Sequence, residues 1–562
     1  MANHWRGWVV GLVACLLLSA CAQTPANPSQ SPAGGAAPQA QTAPHGNLRV
    51  AFAREPETLN PKFLPGGGAG DYTWLFSSAF AIRDMNYVAH PMLTAQFPTQ
   101  ANGDWVVNPD GTMVTTYRIR ENARWHDSVP ITAHDFAFAY EVYTDDAMPV
   151  GVRSPESIIS RVEARDDRTV VIYWKELYPQ ADALGYRQMH PMAAHALEEK
   201  YRTNRANFAT GEEWTSAFVG SGPYKVDRWE PGSRLVARAH QQFFLGSPKI
   251  ETIEIRFISD ANTVVANLLA GEIDLTSSPT INAPEAAVAR DQLVARGEAY
   301  IKAWHTRLVF VDFQEREVPN WTRQVADLRV RRALMHGIDR QAMTDVVNLG
   351  LAPTADFYIA PGDPLFGEVD NVVTKYPYDT NRAAALLAEA GIPRGASGGQ
   401  PIELQVWSDQ ENDASIVADY WKALGFNATP FRVPNARRND QEFRNFFPAT
   451  QIGMNTISQE EVHTVSAKLP KAELGWLGSN RGSFTDPEVD RLHHLVTTSI
   501  NENDRKQATI AMHQRLTELV AFGPLFYSYE ALIARNNVKG PQGVVGPQTG
   551  ITWNVWEWEI DQ

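Results

Sequence analysis

Residues 48–53, Leu-Arg-Val-Ala-Phe-Ala, form a short apolar run that predicts a buried strand. The period then lengthens, and 71–80 suits an amphipathic helix. Residues 105–120 alternate about the turn Asn108-Pro109-Asp110-Gly111, which predicts a hairpin. Thr132-Ala133-His134-Asp135 resembles a capping box opening a helix over 136–143. A second hairpin is predicted from strands 224–229 and 234–238 around Glu230-Pro231-Gly232, followed by a strand over 253–257. A helix over 262–270 ends at Gly271, and a short strand resumes at 273–275. Further strands are predicted over 303–313, 402–406 and 524–529. Further helices are predicted over 329–347, with apolar residues at 330, 334, 338 and 343, and over 381–390, 415–424 and 486–499. Strands alternating with helices predict an α/β body.

Composition narrows the classes. At 562 residues, 44% hydrophobic and 20% charged, the chain can bury a large, multi-lobed core. Fifty Lys+Arg against 64 Asp+Glu give −14, without the basic clusters that neutralise phosphates, so nucleic acid is a poor partner. Cys15 and Cys21 are its two cysteines. The body after them therefore cannot carry a disulfide framework, a cysteine-ligated metal or a cysteine nucleophile. Residues 7–20, after Arg6, form an uncharged, mostly apolar run. It falls short of the roughly 20 residues that span a bilayer and has the length of a signal-peptide core. Residues 22–46 lack Asp, Glu, Lys and Arg and are rich in Ala, Pro and Gln, which predicts a flexible tether.

Catalytic constellations are missing from the pattern. The glycine run at 65–70 lacks a Gly-Lys-Ser/Thr ending and reads as a flexible loop. His126 and Asp127 are adjacent in an extended segment, so they point to opposite sides, and the structural reading is favoured. His493 and His494 lie about 100° apart on a predicted helix, poorly placed as joint ligands. Ser-x-x-Lys, His-Glu-x-x-His and P-loop motifs do not occur, and there is no Gly-x-Ser-x-Gly elbow, because the one match in letters, residues 395–399, follows a predicted helix and precedes a predicted strand. A glycosidase-like carboxylate pair stays open. The 16 Trp, 17 Tyr and 24 Phe favour a site for an organic ligand, although core packing uses the same residues.

Along the chain come, in order, Tyr117-Arg118-Ile119-Arg120, Trp125-His126-Asp127-Ser128, Thr132-Ala133-His134-Asp135-Phe136, Gly220 to Tyr224 and Gly271-Glu272-Ile273-Asp274. Val330-Arg331-Arg332-Ala333-Leu334 with Ile338-Asp339-Arg340, then Ala383 to Gly391 and Asp486 to Asp490, continue the set. Over roughly 47–540 this ordered set resembles the extracellular solute-binding proteins of ABC importers, family 5, the peptide/oligopeptide/nickel type. Ser128 stands where the family has glycine. Leu18-Ser19-Ala20-Cys21 resembles a lipobox, which implies lipidation of Cys21 after removal of 1–20.

The resemblance implies a two-lobed α/β binding-protein fold of the large type, with an extra subdomain and a ligand cleft between lobes joined by two crossover strands. Lobe one would comprise 47–88 and 211–303, the subdomain 89–210, lobe two 304–520, and the return to lobe one 521–562. It implies an exported, lipid-anchored monomer serving permease subunits and their ATPases, with neither cofactor nor metal, and not an enzyme. Weighed against it are a secreted hydrolase and a receptor-coupled sensor. Expected ligand contacts are Asn60, Gly68, Tyr72, Ser277, Ser278, Trp304, Arg307, Asn455, Ser458 and Tyr527. Trp304 is expected against the ligand or else in the core, and Arg307 beside an anionic ligand group or else a carboxylate of the chain. Peptide-binding relatives place an ammonium-binding aspartate where Ser458 falls here, and a neutral serine cannot supply that charge-assisted bond. Glu460 or Glu461 would substitute; otherwise a glycan, an opine-like compound or a modified peptide becomes as plausible as a peptide. His90, His305 and His463 are the candidates for a nickel chelate.

Overall fold

Alternation in two apolar strands decides the architecture. In Glu530–Arg535, Ala531 and Ile533 join one apolar cluster while Leu532 and Ala534 join another. In Arg307–Phe313, Val309, Val311 and Phe313 face that first cluster and Leu308 and Phe310 a third. Each strand is thus buried on both faces, as expected of sheets covered by helices on both sides. The computed structural model describes residues 46–561 except 64–68, 278–279, 393–399, 408–409, 438, 460–461 and 545–549.

The first lobe is built on a seven-stranded sheet in the order Ala299–Trp304, Glu530–Arg535, Leu275–Thr276, Asn47–Phe52, Thr252–Phe257, Arg234–Ala239, Tyr224–Glu230. Asn47–Phe52 runs parallel to both its neighbours, and the outer pairs are antiparallel. The second lobe is built on a five-stranded sheet, Asn427–Arg432, Pro401–Val406, Thr450–Thr456, Arg307–Phe313, Gly523–Tyr527. A four-stranded antiparallel sheet, Trp105–Val107, Met113–Arg118, Thr169–Trp174, Ile159–Ala164, has its own core, in which Phe80 stacks between Tyr117 and Phe136.

Two predicted strands prove to be breaks between sheets. The run 303–313 divides at His305-Thr306, with Trp304 in the first sheet and Arg307 in the second. The run 524–529 divides at Ser528-Tyr529, so Gly523–Tyr527 belongs to the second lobe, and the chain leaves that lobe after 527 rather than at 521. The predicted helix 329–347 is two helices, Leu328–His336 and Arg340–Val347. Gly337 weakens its middle. Asp339 then caps the second helix, accepting from Ala342 N at 3.0 Å.

Candidate functional site

The two crossovers run side by side. His305 Nδ1 lies 3.0 Å from the Ser528 carbonyl, and Ser528 N donates to Arg307 O at 2.8 Å. Ile457 N, just past the end of strand Thr450–Thr456, donates to Thr306 O at 3.0 Å. Glu530 ties the passes together through its side chain. Its Oε1 lies 2.7 Å from Arg307 Nε, and its Oε2 accepts from Thr306 Oγ1. Glu530 is also the register partner of Trp304. Arg307 thus has a carboxylate of its own chain.

The C-terminal end of helix Ala69–Phe76 is fixed by the Gly-Ser-Gly motif at 220–222. Ser221 N and Gly222 N both donate to Phe76 O at 3.0 Å. A Cβ on Gly220 would stand 1.9 Å from that oxygen, so a side chain is excluded there. His126 packs against the same motif: its Nε2 lies 3.1 Å from Gly222 O, and Gly220 N donates to its Nδ1. Burial pushes the ring down to about 3. Asp127 instead contacts His195, so the two neighbours do not form a catalytic pair.

Asp71 on this helix is 2% exposed. Its Oδ1 accepts from Ile551 N at 2.6 Å, and Ser277 donates a further hydrogen bond. Burial outweighs these bonds and, helped by the charge of Glu530, pushes the carboxyl up to about 8. Ser277 and Asp71 therefore adjoin, and Trp304 and Arg307 both adjoin Glu530. Trp304 is 6% exposed, and its indole N–H has no partner among the described residues. A Cβ on Gly543 would meet its ring at 3.0 Å and Met85 Cε at 3.3 Å, so the C-terminal segment covers this indole.

Asn60 is buried in its own turn, its Oδ1 accepting from Lys62 N and Phe63 N at 2.9 and 3.1 Å. Tyr72 is buried and donates to Arg54 O at 2.5 Å. Tyr527 is fully buried, donates to Phe357 O at 3.0 Å, and packs in the second-lobe core. Asn455 is half-buried opposite Leu308, and Ser458 is half-buried beyond the strand end. Gly68, Ser278, Cys21, Glu460 and Glu461 lie outside the described residues.

The structure adds a carboxylate that the sequence did not single out. Gln459, next to Ser458, donates from Nε2 to Asp363 Oδ1 and Oδ2 at 2.9 and 3.1 Å. Asp363 is buried, and burial raises its carboxyl. Its charge also helps raise the phenol of Tyr87, after burial, so this second-lobe acid lies near a tyrosine of the Ala81–Arg83/Ala89–Pro91 hairpin. Asp363 sits within Pro361-Gly362-Asp363-Pro364, which signals a turn and nothing more. The three histidines have separate partners: Asp84 for His90, the Ser528 carbonyl for His305 and Asp312 for His463. Among the described residues, no group of three or more His, Cys, Asp or Glu could hold a metal ion.

A sequence model of the bacterial extracellular solute-binding proteins, family 5 (middle), matches residues 98–465. A Brucella ovis protein named as an ABC transporter peptide-binding protein is 26% identical over 478 residues, covering 82% of this chain and 83% of that one. The Bacillus subtilis oligopeptide-binding protein AppA, solved with a nonapeptide, superposes with a TM-score of 0.71 at 19% identity, covering 92% of this chain and 99% of that one. NikZ from Campylobacter jejuni, solved with Ni(L-His), gives 0.72 at 21% identity, covering 92% and 100%. At these identities the two structures speak for the fold.

Proposed function

Because the chain belongs to the bacterial extracellular solute-binding proteins of family 5, we propose that its two lobes close on an organic solute beside the paired crossovers, and that it is the substrate-binding component of an ABC importer. The observation that carries this reading is the double pass at 305–306 and 528–529 between two separate sheets. Two short adjacent connections let lobes rotate as bodies, and a solute that contacts both lobes favours the closed form. Ser277 and Trp304 form the first-lobe wall together with Asp71, and Arg307 with Glu530 forms the floor. Asn455 and Ser458 belong to the opposite wall.

A peptide is the first candidate for the solute. Asp363, oriented by Gln459 one residue from Ser458, is the carboxylate available to a ligand ammonium in place of the serine. A buried carboxyl raised by desolvation gains from a cation that arrives with the ligand. Lipidation of Cys21 and the tether over 22–46 would hold the body at a membrane within reach of its permease. Among the described residues, no helix is long and apolar enough to cross a membrane. Titration calorimetry of the mature protein with unmodified and N-acetylated tripeptides tests the peptide reading. Stoichiometric binding of the free-amine form supports it, and equal affinity for both forms removes Asp363 from the ligand contacts.

A further inference from the structure

On the sheet face opposite the large apolar core, the second lobe carries a row of polar side chains that the hinge and its walls do not use. Gln405 is the register partner of Gln451 in the parallel pair, and Gln451 that of Asp312 in the antiparallel pair. Three polar side chains therefore stand side by side on one face of three adjacent strands. Neighbours one position along, Leu404, Val406, Ile452 and Val311, all join the apolar cluster on the other face. Gln405, Gln451 and Asp312 are 1%, 0% and 4% exposed.

Among the described residues, neither Nε2 nor Oε1 of Gln451 has a hydrogen-bond partner, and neither does Gln405 Nε2. His463 Nε2 lies 3.1 Å from Asp312 Oδ1, while its Nδ1 has no partner among the described residues. Arg481 Nε also lacks one, and the guanidinium is close enough to Asp312 and Arg444 to feel both charges. Burial, then Arg444, pushes Arg481 down to about 10. Gln451, Gly453 and Asn455 alternate along one strand, so the row continues the wall on which Asn455 stands.

A packed sheet face ordinarily buries aliphatic side chains, and a primary amide there with neither atom paired gives up its bonds to water without return. The unpaired set is chemically mixed. Gln405 Nε2, Gln451 Nε2 and Arg481 Nε are donors; Gln451 Oε1 is an acceptor, as is His463 Nδ1 when Nε2–H donates to Asp312. A carboxylate or phosphate would answer the donors and leave two acceptors facing it. A cation would do the reverse. Asp312 already opposes the charge of Arg481.

We propose that Gln405, Gln451, His463 and Arg481 form a specificity subsite for an uncharged solute group that donates and accepts at once, a primary carboxamide or neighbouring sugar-type hydroxyls. The proposal rests on the solute-binding reading above and names the chemistry of one end of the solute. Internal water is the competing occupant, and it makes no selection among solutes.

Native mass spectrometry of the mature chain tests this with two mixtures. One contains equimolar Ala-X-Ala tripeptides with X = Gln, Asn, Glu, Asp or Leu, and the other lactose, cellobiose and trehalose. Retention of the Gln and Asn peptides at least tenfold over Glu, Asp and Leu assigns a carboxamide. Retention of a disaccharide assigns hydroxyls. In either case the Gln405→Leu/Gln451→Leu double variant should lose that ligand at least tenfold and melt no lower than wild type, because it removes unpaired amides; Gln451→Met gives the same readout with one change. Preference for the acidic peptides overturns the proposal, as does unchanged retention by either variant, which leaves the row to water. Retention of neither mixture also overturns it, whereas the importer reading is decided separately by the solute that the protein carries from its own host.

Discussion

Replacing Asp71 by asparagine should stabilise the protein, and should do so more strongly as the pH rises. Burial, opposed by hydrogen bonds from Ile551 and Ser277 and reinforced by Glu530, raises this carboxyl from 3.8 to about 8. The folded state therefore holds one proton more than the unfolded state between those values. Stability linked to that proton is fully present below the unfolded pKa and is lost as pH rises toward the folded one. Each pH unit is worth about 1.4 kcal/mol, so wild type should lose roughly 2–4 kcal/mol between pH 5 and pH 8 that the variant keeps. Asparagine cannot ionise, and its Oδ1 can still accept from Ile551 N. Urea unfolding of both proteins at pH 5, 6.5 and 8 reads the difference directly. If the gap between variant and wild type is the same at pH 5 and pH 8, Asp71 is not held neutral by its surroundings and the reasoning fails.

Trp304→Ala should weaken solute binding by well over tenfold and also lower stability by about 3–5 kcal/mol, since the indole is packed under Gly543. Trp304→Phe should recover most of the stability without the binding; full affinity in either variant, by calorimetry, returns Trp304 to the core. Lys62→Met should cost about 3–5 kcal/mol, because Lys62 Nζ lies 2.6 Å from Glu156 with the pair 1% and 0% exposed, and its removal strands the carboxylate. A loss in urea unfolding below about 1 kcal/mol would show that Glu156 finds another partner. Asp363→Asn should weaken free-amine peptides about tenfold and leave N-acetylated ones unchanged; equal effects on both contradict the role given to Asp363.

Much of the fold was legible because its signals are local. The 48–53 strand, the hairpin about Asn108-Pro109-Asp110-Gly111 and the helix stop at Gly271, with its φ of 76°, all follow from residues within a turn or two. The Thr132–Asp135 capping box appears as written. Periodicity alone did not show the breaks at 305–306 and 528–529, since apolar residues stand on both sides and the change of sheet is decided by distant partners; the family resemblance did set the first lobe boundary at 303/304, beside the first break. Helix Glu502–Glu518 was missed as well: its face carries Ala508, Thr509, Met512 and His513, too polar to read as a stripe. Of the site, Trp304 and Arg307 were visible as positions but not as partners of Glu530. Asp71 reads as an ordinary first-turn acid of a helix, and only the return of Ile551 to its side chain shows how deeply it is buried. Gln405 and Asp312 do stand out as polar residues within apolar strands, and that interruption was the available signal.

The central claim is that this chain captures a solute between its lobes. Its most direct test is the native mass of the protein purified from its own host without denaturation, compared with the mass after unfolding. The account predicts one discrete adduct per chain, released on unfolding and lost in Trp304→Ala. A chain that repeatedly carries nothing, or that converts an offered solute into product, would contradict it.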